Sequence, residues 1–419
     1  MTEKPVRKNP YVGPRALQVG EKIYGRSSEI YNLLDSLIAN RIVLLHSPSG
    51  AGKSSIVNAG LIPLLKEEGF TVLGPLRVNL EPPPGLPADV NCNRFTLSVL
   101  LELEEHLPAE EHSKIEDLVC ITIQQYLDVY RQKHPEAVSL ALIFDQFEEI
   151  LTIAPTAKEE KIAFFSQVGS MLQNTSTWAL FAAREDYIAA LDPYLAYIPT
   201  RLHNTSRLDF LGVNAAGQAI RGPLEDEATN IRYNDQAVAK LVNDLRSVKV
   251  QLPDGSTEIQ PGPYIEPVQL QVVCRHLINQ LSEDTEEITP DDVSGVGDVD
   301  DSLAQYYQEQ VELVARQLEI PERRIRNWFG SQLITKQGIR GLVQMGQQTS
   351  GDLENEAIFM LVSSHLVRAE KRLNSTWYEL AHDRLITPVL ENNAAWIAKN
   401  LNLLQRQTEV WISQGSPNS

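Results

Sequence analysis

Two periodicities alternate along the first half of the chain. Residues 27–39 space their apolar side chains as a helix does, and the uninterrupted run Ile42–Leu45 that follows reads as a strand buried on both faces. A Gly/Ser turn and a second helical pattern come next, over "SPSGAGKSSIVNAGLIPLLKE". "FTVLGPLRVNL" reads as a second strand. "EPPPGLPADVN" reads as a loop, because proline fixes φ and offers no N–H to an element interior. Helical spacing returns over 94–106 and 113–133. "SLALIFDQFEEI" is then an apolar strand ending in acids, 158–173 a helix, "TWALFAAR" a fourth strand and "SRLDFLGV" a candidate fifth. Strands alternating with helices predict a mostly parallel sheet covered on both faces.

From about residue 212 helices dominate. "VKVQLPDGSTEIQPGP" interrupts them with a hairpin pattern around Asp254-Gly255, and "VQLQVVCRHLINQL" is a strongly amphipathic helix. The acidic, Gly- and Pro-bearing stretch "EDTEEITPDDVSGVGDVDD" marks a boundary. Beyond it, residues 302–390 combine helices with a short hairpin, the pattern of a winged helix. The division expected is therefore 1–211 for the α/β domain with its N-terminal segment, 212–290 for a helical domain carrying the small hairpin, 302–390 for the winged helix, and 391–419 for an amphipathic helix with a polar tail. The 419-residue length suits several domains. No repeat of 20–50 residues is visible.

Composition narrows the function. A net charge of −18 disfavours a general polyanion-binding surface, so nucleic acid is not the expected partner, although a local basic patch remains compatible with it. No apolar run approaches the roughly 18–20 residues that span a bilayer, and the N-terminus lacks a signal core, so the expectation is a cytoplasmic protein without a membrane partner. Cys92, Cys120 and Cys274 have no metal-ligand spacing and suit buried thiols in a reducing compartment.

The chemistry is announced by "SPSGAGKSS", which follows a strand and opens a helix. In that context a G-x-x-x-x-G-K-[ST] loop cradles phosphate: the backbone N–H groups of Ser49, Gly50, Ala51, Gly52 and Ser55 form an anion nest at a helix N-terminus. Gly50 and Gly52 permit the tight wrap, Lys53 reaches the β- and γ-phosphates, and the Ser54 hydroxyl takes a Mg²⁺ position. Ser47 stands where the motif has its first glycine. Asp145, at the end of an apolar strand, is the second metal residue, and Glu148 and Glu149 are candidates to orient the attacking water. These motifs together predict an ATP or GTP site with Mg²⁺.

The order and spacing of these motifs resemble the STAND class of P-loop NTPases, in particular the bacterial novel STAND group related to NACHT and NB-ARC switches. In AAA+ ATPases a glutamate normally follows the strand-end aspartate directly; here that position is Gln146, and the acids come two residues later. "NPYVGPRAL" and "KIYGRSSEI" resemble the group's N-terminal signature, which implies that Tyr24, Gly25 and Arg26 lie by the adenine. "FAAREDYIAAL" resembles its fourth strand, making Arg184 the γ-phosphate sensor. "YIEPVQLQVVCRHL" resembles the segment with a Gly-x-Pro motif, which assigns an adenine contact to Pro267, with Glu266 where a small residue is more usual. "LAHDRL" is similar to the Met-His-Asp motif of the relatives, with Ala381 in place of Met; His382 would then reach the β-phosphate of ADP, supported by Asp383.

The resemblance implies a P-loop sheet of the additional-strand type followed by a helical and a winged-helix domain. It also implies a signalling switch: closed with ADP, open or self-associating with ATP–Mg²⁺, and reset by slow hydrolysis. Relatives usually carry effector and sensor domains; here the switch occupies nearly the whole sequence, so the expectation is either a truncated relic or protein partners that supply those functions. The stretch around Trp396 and Trp411 reads as a helix packed on the winged helix or as a docking helix. Two other readings stand beside the switch. One is an ATP-dependent DNA-binding protein using the winged helix and a basic face of Arg323, Arg324, Arg326, Lys336 and Arg340. The other is a scaffold that binds nucleotide without turnover.

Overall fold

The computed structural model describes residues 9–78, 92–152, 156–226, 231–251, 257–282, 284–295, 299–335, 340–372, 375–381 and 385–400. The chain forms two compact units: one of residues 16–219, the other of 1–15 together with 220–419.

The first unit is built on a five-stranded sheet. In chain order it contains α1 (Ser27–Asn40), β1 (Ile42–Ser47), the phosphate-loop helix α2 (Lys53–Ser55, a π turn Ile56–Leu61, then Ile62–Glu67), β2 (Thr71–Leu76), α3 (Arg94–Glu105), α4 (Ile123–Lys133), β3 (Leu140–Phe144), α5 (Lys158–Met171), β4 (Thr177–Arg184) and β5 (Thr205–Arg207). The strand order is β2-β3-β4-β1-β5, every pair parallel. β4 therefore lies between the phosphate-loop strand and the strand that ends in Asp145. The register sets Ser47 opposite Arg184 and Phe144 opposite Phe181. Three strand ends thus meet along one edge.

Alternation along the strands explains the two covered faces. Ile42, Leu44, Leu140, Leu142, Phe144, Ala179 and Phe181 enter one core with residues of α3, α4 and α5, such as Phe95, Leu127 and Phe164. Val43, Leu45, Ala141, Ile143, Leu180 and Ala182 enter the other with Leu33 and Leu37 of α1 and Ile56 and Leu61 of α2. Each strand must be apolar on both sides, which is why it reads as a continuous run. The helix expected over 113–133 is broken in two, Ile115–Leu118 and Ile123–Lys133. Thr122 accepts from the N–H of Gln125 while the Gln125 side chain accepts from the N–H of Thr122, a reciprocal cap that starts a new helix. The fifth strand is also shorter than "SRLDFLGV" suggested, since only Thr205–Arg207 pairs with β1.

The second unit contains the C-terminal half of α6 (Val213–Asp226), α7 (Asp235–Arg246), a hairpin of β6 (Ser247–Gln251) and β7 (Thr257–Pro261), α8 (Pro267–Gln280), α9 (Val299–Gln317), α10 (Glu322–Trp328), β8 (Val343–Gln344), α11 (Asn355–Ser363), β9 (Val367–Arg372), β10 (Ser375–Leu380) and α12 (Ile386–Asn400). The N-terminal segment joins this unit. Asn9 Nδ2 donates to Arg275 O and Asn279 Oδ1, both at 2.8 Å, and the buried Tyr11 hydroxyl donates to Ile220 O. β8, β10 and β9 form a three-stranded antiparallel sheet, with α11 lying between β8 and β9 in the chain. No helix among the described residues is long and apolar enough to cross a membrane.

The thiols differ from expectation. Cys274 is buried and its thiol is pushed up to about 12 by burial, but Cys92 is half-buried and Cys120 exposed. The expected basic face loses Arg326 to the interior. Arg326, 2 % exposed, stands over the rings of Tyr307 and Trp396 at 5.5 and 5.2 Å and donates to Asn392 and Asn393 of α12. Arg324 pairs with Glu354 at 2.5 Å, Arg340 lies 3.5 Å from Glu379, and Lys336 is outside the described residues. Buried aromatic rings give a guanidinium a better environment than a helical pattern read as solvated can reveal.

Candidate nucleotide site

The site grows from the sheet edge. β1 ends at Ser47, and the chain wraps through Gly50 and Gly52 with φ of +79° and +95° before α2 begins. L-residues with a Cβ rarely adopt these left-handed values, so the glycines make the wrap possible. Lys53 Nζ lies 2.9 Å from Ser47 Oγ, which in turn donates to Pro48 O at 2.8 Å. Ser54 Oγ donates to Asp145 Oδ2 at 2.7 Å, joining the loop to the end of β3. Ser55 Oγ accepts from the N–H of Leu17 at 3.1 Å, and Asn58 Nδ2 donates to Leu17 O at 3.1 Å, so the entering chain lies along α2.

The turn after β3 explains the spacing of the acids. Gln146 takes a left-handed φ of 52°, and its N–H donates to Asp145 Oδ1 at 2.9 Å. Phe147 is then fully buried, with its ring 4.8 Å from Phe181 and 5.6 Å from Phe165, and its N–H donates to Ala182 O. Burying that ring returns Glu148 to the strand edge, where its Oε2 accepts from the N–H of Arg184 at 3.3 Å. An acid at this site thus falls three positions after the aspartate because a phenylalanine anchors the turn between them. Glu149 starts the following helical turn, Glu149–Thr152, and is half-buried.

Electrostatics tie the cluster together. Burial pulls the Lys53 ammonium below its ordinary value, against the opposing pull of Glu148 and Asp145. Burial raises the Glu148 carboxyl above its ordinary value, with Lys53 and Arg184 holding it down and Asp145 adding to the rise. Arg184 pairs with Asp186 at 2.6 Å and stands 5.4 Å from the Tyr187 ring. A cation, two acids and a second cation therefore sit within one desolvated edge, an arrangement that suits a charged ligand.

On the other side of the loop, Tyr24 is half-buried, and Gly25 has φ +72° with its Cβ position 2.2 Å from Ala215 O. Gly25→Ala combines left-handed strain with a backbone clash, about 2–4 kcal/mol. The expected result is a melting temperature roughly 5–15 °C lower, checked by calorimetry. Arg26 follows, buried, with its guanidinium behind the loop.

Among the residues expected from sequence, the first unit brings together Ser49–Ser55, Asp145, Glu148 and Arg184 at the sheet edge, with Gly25 and Arg26 behind the loop. Pro267 is the first residue of α8, in the second unit. His382 and Asp383 lie outside the described residues. His46 was not anticipated. It interrupts the apolar β1 run, and burial lowers its ring below the ordinary value, with Glu185, Arg207, Lys53 and Asp209 acting on it. A polar residue inside "IVLLHS" was the signal available.

Sheet order, loop and strand-end acids together define a P-loop NTPase with an extra strand between the loop strand and the acid-bearing one. The chain matches the Novel STAND NTPase 1 family over residues 10–413, and it belongs to that family. It is a nucleotide-binding protein of the STAND NTPase type. Comparison with curated proteins gives no match. Among solved structures it is similar to a Walker-type ATPase of Pyrococcus abyssi, at 13% identity, covering 90% of this chain and 98% of that one, with a TM-score of 0.45. It is also similar to the ORC2 protein of Aeropyrum pernix in ADPNP–ADP complexes, at 14% identity, 92% and 97% coverage and a TM-score of 0.43. The ORC1 protein of the same organism in complex with DNA follows, at 12% identity, 90% and 95% coverage and a TM-score of 0.39.

Proposed function

We propose that the chain is an ATP/ADP-dependent switch with slow ATP hydrolysis. The observation that carries the reading is the cluster in which Ser54 Oγ meets Asp145 Oδ2 at 2.7 Å, Lys53 lies beside them, and Glu148 is held at the Arg184 N–H. The donor set fits a magnesium nucleotide. A hydroxyl and a carboxylate are hard oxygen ligands, and left-handed glycines line the loop. Ser54 and Asp145 would hold the ion, which supplies charge neutralisation at the phosphates. Lys53 binds the β- and γ-phosphates. Glu148 orients water and accepts its proton, with Glu149 the adjacent alternative, and Arg184 faces the charge that develops on the transferred group.

The switch itself adds the second unit. Pro267 would contact the base, and His382, supported by Asp383, would donate to the β-phosphate of ADP and hold the closed state. The winged-helix reading of residues 302–390, ATP-dependent self-association and protein partners that sense and respond belong to the same proposal. Each nucleotide shifts the equilibrium only by its differential affinity for the two states.

The test is the nucleotide retained by protein purified without additions, measured for wild type and His382→Ala. ADP in wild type and depletion in His382→Ala support the latched switch. Equal retention removes the latch and leaves a nucleotide-binding NTPase. A wild type that is empty and cannot be loaded removes the switch.

A further inference from the structure

Arg26 lies in the Gly-Arg turn that the sequence resemblance places beside the base, yet its contacts point elsewhere. Its side chain is 4 % exposed. Nη2 donates to Ala51 O at 3.0 Å and to Asp209 O at 2.8 Å, and Nη1 donates to Glu29 Oε1 at 2.9 Å. Ala51 is in the middle of the phosphate loop and only 1 % exposed.

A loop whose N–H groups converge on an anion turns carbonyls away from it, and a buried carbonyl needs a donor that water cannot supply. From this geometry we infer that Arg26 is a positioning residue for the phosphate loop, not a reader of the base. The inference rests on the nucleotide-binding reading of the site.

The planar guanidinium suits the task, because one nitrogen serves two carbonyls while the other is fixed by a carboxylate. The Glu29 carboxyl sits below its ordinary value; burial opposes this, and hydrogen bonds from Ser28 and Arg26 outweigh it. The second carbonyl belongs to Asp209, two residues beyond β5. The Asp209 carboxylate pairs with Arg207, and Arg207 Nε reaches Glu185 Oε2 at 3.0 Å, one residue past Arg184. Two guanidiniums, Arg26 and Arg207, therefore link the loop to Glu185, beside the proposed sensor.

Gly25 sets the approach, since its left-handed φ and its contact with Ala215 O leave no room for a Cβ. A carbonyl left without its donor lets the loop relax, which weakens every ligand that binds through phosphate. A base contact behaves differently, because its loss touches only the ligands carrying that base.

The experiment titrates the full chain with ADP, GDP and inorganic pyrophosphate for wild type, Arg26→Gln and Arg26→Lys. Thermal melts check that each variant folds. The expected result is a loss of about 10–100-fold for Arg26→Gln on all three ligands, the size of one buried acceptor left unpaired. The ADP-to-GDP preference stays within about twofold of wild type, and Arg26→Lys recovers part of the loss by restoring one donor. Pyrophosphate binding unchanged in Arg26→Gln, with the ADP preference collapsed, overturns the inference and makes Arg26 a base contact. If Arg26→Gln does not fold, the same comparison on Arg26→Lys decides. A wild type that binds none of the three overturns the nucleotide-binding reading itself, an outcome distinct from a change in preference.

Discussion

Lys53→Ala is expected to abolish nucleotide retention. The ammonium is desolvated at the sheet edge, with Glu148 and Asp145 acting on it. Breaking a buried charge pair costs about 3–5 kcal/mol, and a triphosphate lacking its cation faces two acids instead. The dissociation constant for ADP or ATP should therefore rise roughly 10²–10³-fold or more, measured by calorimetric titration. The fold should survive, because the two sheet cores do not include this side chain. Affinity within tenfold of wild type would remove Lys53 from the phosphate site. The substitution has a second readout. Lys53 is the strongest influence holding the Glu148 carboxyl down, so its loss should move that group still further up.

Glu148→Gln should separate binding from turnover. The amide keeps the shape at the Arg184 N–H but cannot accept a proton from water. Hydrolysis should fall about 10²–10⁴-fold, the range for loss of a general base, while ADP affinity changes little. Phosphate release under single-turnover conditions is the measurement, and unchanged release would leave a binding scaffold or transfer the role to Glu149. The pH dependence follows from the direction of the shift. Burial raises the Glu148 carboxyl, and the base works only when ionised. Activity should accordingly decline as pH falls through a value above the ordinary carboxylate range, and this acidic limb should be missing from the residual activity of Glu148→Gln.

Sequence alone determined the elements whose signals are local. The run Ile42–Leu45, the loop ending Gly52-Lys53-Ser54 and the apolar strand before Asp145 each declare themselves within a dozen residues. A strand apolar on both faces, a glycine-rich turn and a strand-end acid need no distant partner to be recognised. The Thr122–Gln125 cap was equally local, and its spacing was visible although a single helix was expected there.

Tertiary structure decided what depends on partners far along the chain. It paired Ser47 with Arg184 across 137 positions of sequence, by inserting β4 beside β1. It sent Phe147 into the core and so selected Glu148 for the edge, a choice that two adjacent glutamates cannot express in sequence. It buried Arg326 against Tyr307 and Trp396 and turned Arg26 toward Ala51 O, where helical pattern and motif suggested a solvated face and a base contact. The physical reason is common to all of these. A long or charged side chain settles wherever burial, hydrogen-bond partners and opposite charge are jointly satisfied, and those partners are brought together only by the sheet order and by the packing of helices on the sheet and on one another.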